Sequence, residues 1–153
     1  MDFMVQVDDL SDGAIAELLI MHLREMHKYS PTESIHALDM DELRDKSMTF
    51  GGARVDGKLA GCGALKSLTD NNGEIKSMKT HSAFLRQGVA QRILSAIIES
   101  ATVLGYKSLY LETGSHDAFL PAIAMYEKHG FHECGPFGDY QLDPHSRYFK
   151  KLL

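Results

Sequence analysis

The period of apolar and polar positions changes several times along the chain, and each change marks an element. Met4 to Val7 alternates weakly, as a first strand would. Ile15, Leu18, Leu19, Met21, His22 and Met26 then recur at helical spacing. Ser11 or Asp12 is placed to cap that helix, and Ser30-Pro31 to end it. A short second helix is expected over Met40–Lys46. Met48 to Val55, the turn Asp56-Gly57, and Lys58 to Lys66 form a β-hairpin pattern, because Asp-Gly supplies the positive φ of a two-residue turn. A second turn, Asp70-Asn71-Asn72-Gly73, leads to a strand from Glu74 to Thr80. Gly88 to Leu104 is helical, with Val89, Ile93, Leu94, Ile97, Ile98 and Ala101 on one face and Gly105 as its stop. Ser108 to Glu112 is a short strand. Pro121 to His129 is a helix with proline near its start, where the missing donor does no harm. Phe131 to Cys134 and Tyr148 to Leu152 are closing strands.

This order predicts one mixed α/β (α+β) domain over residues 1–153. Its central sheet has about seven strands, mostly antiparallel, flanked by about four helices. Strict strand-helix alternation, the mark of a doubly wound nucleotide fold, is missing. The length of 153 residues allows a real hydrophobic core, and 44% hydrophobic with 24% charged residues is an ordinary globular balance. No apolar run approaches the roughly 18–20 residues that span a bilayer, and the start lacks a signal-peptide layout. The two cysteines, Cys62 and Cys134, read as buried thiols, so a cytoplasmic location is expected. A net charge of −5 without a basic stripe argues against nucleic acid and mildly favours a cationic small molecule.

The densest chemical signal is Leu85 to Leu94, LRQGVAQRIL. A glycine turn opening onto a helix places unpaired N–H groups and the positive end of the helix dipole at one point, which traps anions. Gly88 lets backbone approach a phosphate, Ala90 leaves room over the first turn, and Arg86 adds a cation. No Gly-Lys-Ser/Thr follows the turn, so it is no Walker loop. The eight histidines form no H-E-x-x-H or H-x-H spacing, and no metal is expected. They read as scattered surface groups, and Met21, Met26, Met40, Met48 and Met78 as core filler. Arg54, Lys58 and Lys66 read as a solvated hairpin face.

The segment Leu85-Arg86-Gln87-Gly88-Val89-Ala90 resembles the phosphate motif Q/R-x-x-G-x-G/A of the GNAT superfamily of acetyl-CoA-dependent N-acetyltransferases. It departs from the motif at Leu85. Ala122-Ile123-Ala124-Met125-Tyr126-Glu127-Lys128-His129-Gly130-Phe131 is similar to the family's A-x-x-h-Y-E-K-x-G-F run, where h is apolar. Phe119 stands where the family often has asparagine. The tail, Cys134 to Tyr140 with Asp143-Pro144 and Ser146, resembles a bacterial subgroup of small-molecule acetyltransferases.

The resemblance implies acetyl transfer from acetyl-CoA to a primary amine. It implies that the strand from Ser77 to Thr80 splays at a bulge and pairs with the pantetheine arm through Met78, Lys79 and Thr80, with Met78 N–H facing the acetyl carbonyl. Arg86, Gln87, Gly88, Val89 and Ala90 would hold the pyrophosphate. Tyr126, a phenol protonated at neutral pH, is the candidate general acid for the CoA thiolate. Glu112, at the end of its strand, is a candidate base. Glu74, His81, His116 and ordered water are alternatives. Asp39, Asp41, Glu42, Asp139, Tyr140 and Asp143 would form an acidic rim for an amine-bearing acceptor, expected to be a small molecule. The C-terminal strand could exchange or pair across a homodimer. The alternative reading is a non-catalytic module that binds acyl-CoA.

Overall fold

The computed structural model describes residues 4–35 and 45–153. Seven strands and three α-helices follow one another along them: β1 (Met4–Asp8), α1 (Ala14–Tyr29), β2 (Met48–Val55), β3 (Lys58–Ser67), β4 (Asn72–Thr80), α2 (Val89–Val103), β5 (Ser108–Gly114), α3 (Leu120–Lys128), β6 (His132–Cys134) and β7 (Ser146–Leu152). The strands form one sheet in the order β1-β2-β3-β4-β5-β7-β6, so its edge strands are β1 and β6, and the C-terminal strand β7, expected to pair across a homodimer, is instead flanked by β5 and β6. The helix expected over Met40–Lys46 falls almost wholly outside the described residues. Ser11 and Asp12 do not cap α1. Gly13 holds the cap position with φ 76°, and the Asp12 carboxylate accepts the Ala14 N–H at 3.0 Å instead.

The hairpin forms as its turn dictates, with Asp56 and Gly57 both at positive φ. All pairings are antiparallel except β4–β5, which run parallel from Asn72↔Ser108 to Ile75↔Leu111. Side-chain alternation splits the core in two. On one face, Ile15, Leu18 and Leu19 of α1 pack on Phe50, Cys62 and Ala64. On the other, Ile93, Leu94 and Ile97 of α2 and Ile123 of α3 pack on Leu65, Ile75, Leu109, Leu111 and Phe149. Met21, placed among the core methionines by its spacing, is instead exposed.

Two glycines of β3 bring α2 down onto the sheet. A Cβ on Gly61 would lie 2.7 Å from Val89 Cγ1, and one on Gly63 would lie 2.9 Å from Ile93 Cγ2 and 2.5 Å from Met78 Sδ. With these Cβ atoms missing, the first turns of α2 sit against the part of β4 where the sheet begins to open. No helix among the described residues is long and apolar enough to cross a membrane.

Candidate active site

The opening in the sheet has a local cause. Between Cys62 and Ala64 on β3 the register slips, because β4 carries one more residue over the same interval. Ser77 sits there at φ 57°, a left-handed conformation that costs energy for a residue with a Cβ. The pairing of β4 with β5 stops just before, at Ile75↔Leu111. Beyond that pair the two strands diverge, and the edge of β4 from Lys76 to Thr80 is left without a β5 partner.

A cavity of about 130 Å³ fills this gap. It reaches through the sheet: Leu19, His22 and Met26 of α1 line one end, and Phe119, Ala122 and Tyr126 line the other. Met78 and Glu112 lie between them. Burial pushes the Glu112 carboxyl up to about 7, with the carboxylates of Glu74 and Asp143 adding to the rise and Lys76 opposing it. Tyr126 is 7% exposed, and burial alone holds its phenol well above the ordinary value. Its ring packs edge-on against Phe131 at 5.9 Å. Phe119 closes the wall behind by lying over Gly114, where a Cβ would come within 2.3 Å of the ring.

Glu74 lines the same cavity but is engaged. It is 3% exposed, and its carboxylate accepts the Tyr140 hydroxyl at 2.6 Å and lies 3.5 Å from Lys76 Nζ. Lys76 also donates to the Tyr140 oxygen at 3.0 Å. Tyr140 comes from the loop between β6 and β7 and is packed among Phe137 and Tyr148. Beyond it lies a second, wider pocket of about 630 Å³, lined by Lys66, Leu68, Asp139 and Asp143 among others. Lys66 thus faces a pocket and is no mere solvated side chain, while Arg54 is paired with Asp8 and Asp12.

The anion trap takes the form that its sequence suggests. Arg86 and Gly88 both adopt left-handed φ, 62° and 81°, curling the backbone into the start of α2. The first bond inside the helix is Arg92 N–H to Gly88 O at 3.1 Å, so the amides before it have no acceptor within the helix. Arg86, Gln87 and Gly88 are exposed, Ala90 is half-buried, and Val89 turns into the core. The Lys79 side chain pairs with Glu25 of α1, so only its backbone is available to a ligand at the opening.

Two alternatives for the base lie outside the cavity. His81 and His116 each cap a short 3-10 turn, accepting the N–H of Ala83 and Ala118 respectively. Asp139, Tyr140 and Asp143 do line the wider pocket, whereas Asp39, Asp41 and Glu42 lie outside the described residues. Histidines judged to be scattered surface groups include one that is not. His22 lines the cavity, and burial together with Lys79 brings its imidazole down to about 4. Its spacing held the signal, since Leu19, His22 and Met26 share one helix face. Cys62 is buried and its thiol is pushed up to about 12, and Cys134 is half-buried; both are free. Among the described residues, no His, Cys, Asp and Glu side chains are grouped to hold a metal ion.

Residues 15–131 match the family model for the acetyltransferase (GNAT) family. The chain is 48% identical over 149 residues to an uncharacterized N-acetyltransferase, YsnE, of Bacillus subtilis, covering 97% of this chain and 99% of that one. It is similar to the solved structure of a proposed acyl-CoA N-acyltransferase from Klebsiella pneumoniae, with a TM-score of 0.81, 26% identity and coverage of 99% and 97%. The fold is also shared with a Bacillus subtilis acetyltransferase solved in complex with CoA, at a TM-score of 0.74, 16% identity and 99% coverage of each. The bulged and splayed β4, the left-handed turn into α2 and these matches agree: the chain belongs to the acetyltransferase (GNAT) family and is an N-acetyltransferase by class.

Proposed function

We propose that this enzyme transfers an acetyl group from acetyl-CoA to a primary amine by direct attack. The observation that carries the reading is the end of β4–β5 pairing at Ile75↔Leu111, which leaves a strand edge beside a cavity holding a carboxyl and a phenol. The edge from Met78 to Thr80 accepts the pantetheine arm as an added strand, and Met78 N–H stabilises the negative charge that develops on the acetyl oxygen. The amides of Arg86 to Ala90 hold the pyrophosphate, with Arg86 as an added cation.

Glu112 takes the proton from the amine. A carboxyl that titrates at about 7 is ionised in a useful fraction at neutral pH and is a stronger base than an exposed carboxylate. Tyr126 protonates the departing thiolate. Being held in its neutral form, it is a donor throughout the working pH range. The bond formed is the amide C–N, the bond broken is the thioester C–S, and the amine's proton is balanced by the one delivered to sulfur.

The test has two parts. Thermal-shift scans with CoA, ATP and NAD report the donor site: stabilisation by CoA alone is expected, and stabilisation by ATP without CoA overturns the reading. Thiol release from acetyl-CoA in the presence of an amine panel reports transfer. Binding of CoA without release for any amine would instead favour an acyl-CoA-binding module.

A further inference from the structure

The inner cavity, at about 130 Å³, is below the size of ordinary ligand sites, while the neighbouring pocket at about 630 Å³ lies within it. The same three side chains, Glu74, Lys76 and Tyr140, line both. They form the partition between the two spaces. Glu74 and Lys76 belong to β4, but Tyr140 belongs to the β6–β7 loop, outside regular structure. Its ring is carried by the loop and its hydroxyl is fixed to the strand.

We propose that Tyr140 is a displaceable plug that determines acceptor specificity: an elongated primary amine lies with its body in the wider pocket, and its neutral amino group replaces the Tyr140 hydroxyl, donating to Glu74 and accepting from Lys76. The inference rests on the placement of the thioester in the inner cavity given above.

Three features support displacement. The Tyr140 hydroxyl donates to Glu74 at 2.6 Å and accepts from Lys76 at 3.0 Å, and a neutral amine, with N–H donors and one lone pair, meets both partners in the same place. When the phenol leaves, Glu74 still has Lys76 at 3.5 Å, so the buried carboxylate is never left without a counter-charge. Glu112 lines the inner cavity with Glu74, so an amine held by Glu74 is delivered beside the group that takes its proton when it attacks. The small inner cavity then admits only the amine end, and branching next to that amine is disfavoured.

The test uses n-hexylamine as probe with the full-length enzyme. Tyr140→Phe keeps the ring and removes the bond that the amine must displace. The KM for n-hexylamine is expected to fall by about tenfold, with the Kd for CoA unchanged. A residue with a merely structural role would leave KM unchanged or raise it, and either result overturns the plug. Tyr140→Ala joins the two spaces, so cyclohexylmethylamine, bulky beside its amine, should gain on n-hexylamine in kcat/KM; an unchanged ratio counts against the partition. If n-hexylamine is not acetylated, its affinity for the CoA-loaded protein is read by ligand-observed NMR. Equal affinity for wild type and Tyr140→Phe overturns the proposal. Loss of CoA binding in the wild type would mark a failure of the donor site, separate from a failure of the plug.

Discussion

Glu112 and Tyr126 line one cavity, one from β5 and the other from α3, and burial raises the proton affinity of both. The shared direction separates their roles. The carboxyl comes to titrate at about 7, whereas the phenol, already high, stays protonated. In the proposed mechanism one low-dielectric environment thus supplies both the acid and the base.

For Glu112 the pH dependence follows from the sign of the shift. As a base it must be ionised, so kcat/KM should rise through about pH 7, and Glu112→Gln should abolish that limb. Stability should move the other way. Between the ordinary carboxyl value and about 7 the folded state binds more protons than the unfolded one, so stability falls as pH rises across this window. Urea unfolding should show Glu112→Gln more stable than wild type at pH 8, by on the order of 2 kcal/mol, and not at pH 4. A pH-independent difference would remove the burial argument.

Tyr126→Phe should lower kcat by about a hundredfold, with the KM for acetyl-CoA unchanged. Steady-state thiol release against acetyl-CoA concentration gives both constants. Full turnover in this variant would take Tyr126 out of the mechanism.

His22 contributes a second pH signature. Its imidazole, brought down to about 4, is neutral in the folded state while the unfolded side chain protonates near its ordinary value. The unfolded state therefore binds the extra proton below about pH 6.5, and stability is lost as pH falls from there toward 4. His22→Phe should remove this loss: its Tm should gain on wild type at pH 5 relative to pH 8. Parallel Tm-against-pH curves for the two proteins would count against a buried neutral imidazole.

Gly63→Ala should cost about 1–3 kcal/mol, because the new methyl meets Met78 Sδ at 2.5 Å and Ile93 Cγ2 at 2.9 Å. Met78 is also on the strand edge proposed to hold the donor, so CoA affinity should fall along with stability. Chemical denaturation and calorimetric titration would check the pair, and weakened stability with intact CoA affinity would uncouple Met78 from the donor site.

Arg86→Ala should weaken CoA binding by about tenfold and flatten its salt dependence. The exposed side chain stands at the left-handed turn, where a diphosphate would be gripped. An unchanged Kd would assign the whole grip to backbone amides.

Much of this architecture is legible in the chain itself. Asp56-Gly57 announces its hairpin, and the apolar faces of α2 and α3 announce two helices, since those signals are local. Of the proposed acid and base, Tyr126 is named by the resemblance of its run to the family's A-x-x-h-Y-E-K-x-G-F and Glu112 by its place at a strand end, and both line the cavity. The bulge at Ser77 has no signature of its own in Lys76-Ser77-Met78, because no glycine marks the left-handed residue. It arises from a register slip against β3, which is a property of two strands. Lys76 and His22 escaped for the same reason. Each looks like an ordinary polar residue until the sheet and α1 set opposite walls of one cavity. Tyr140 was visible only as part of an acidic rim, and its partner Glu74 stands sixty-six positions away.

The single parallel pairing has a mechanical consequence. Four rungs, from Asn72 to Ile75, are the only ladder joining the block β1–β4 to the block β5–β7–β6 among the described residues. Each block is held internally by antiparallel ladders, whereas the seam between them is parallel and stops where β4 splays. In the proposed binding mode, a pantetheine arm lodged in the splay would lengthen that seam, so that cosubstrate would serve as a transient staple between two halves of one domain.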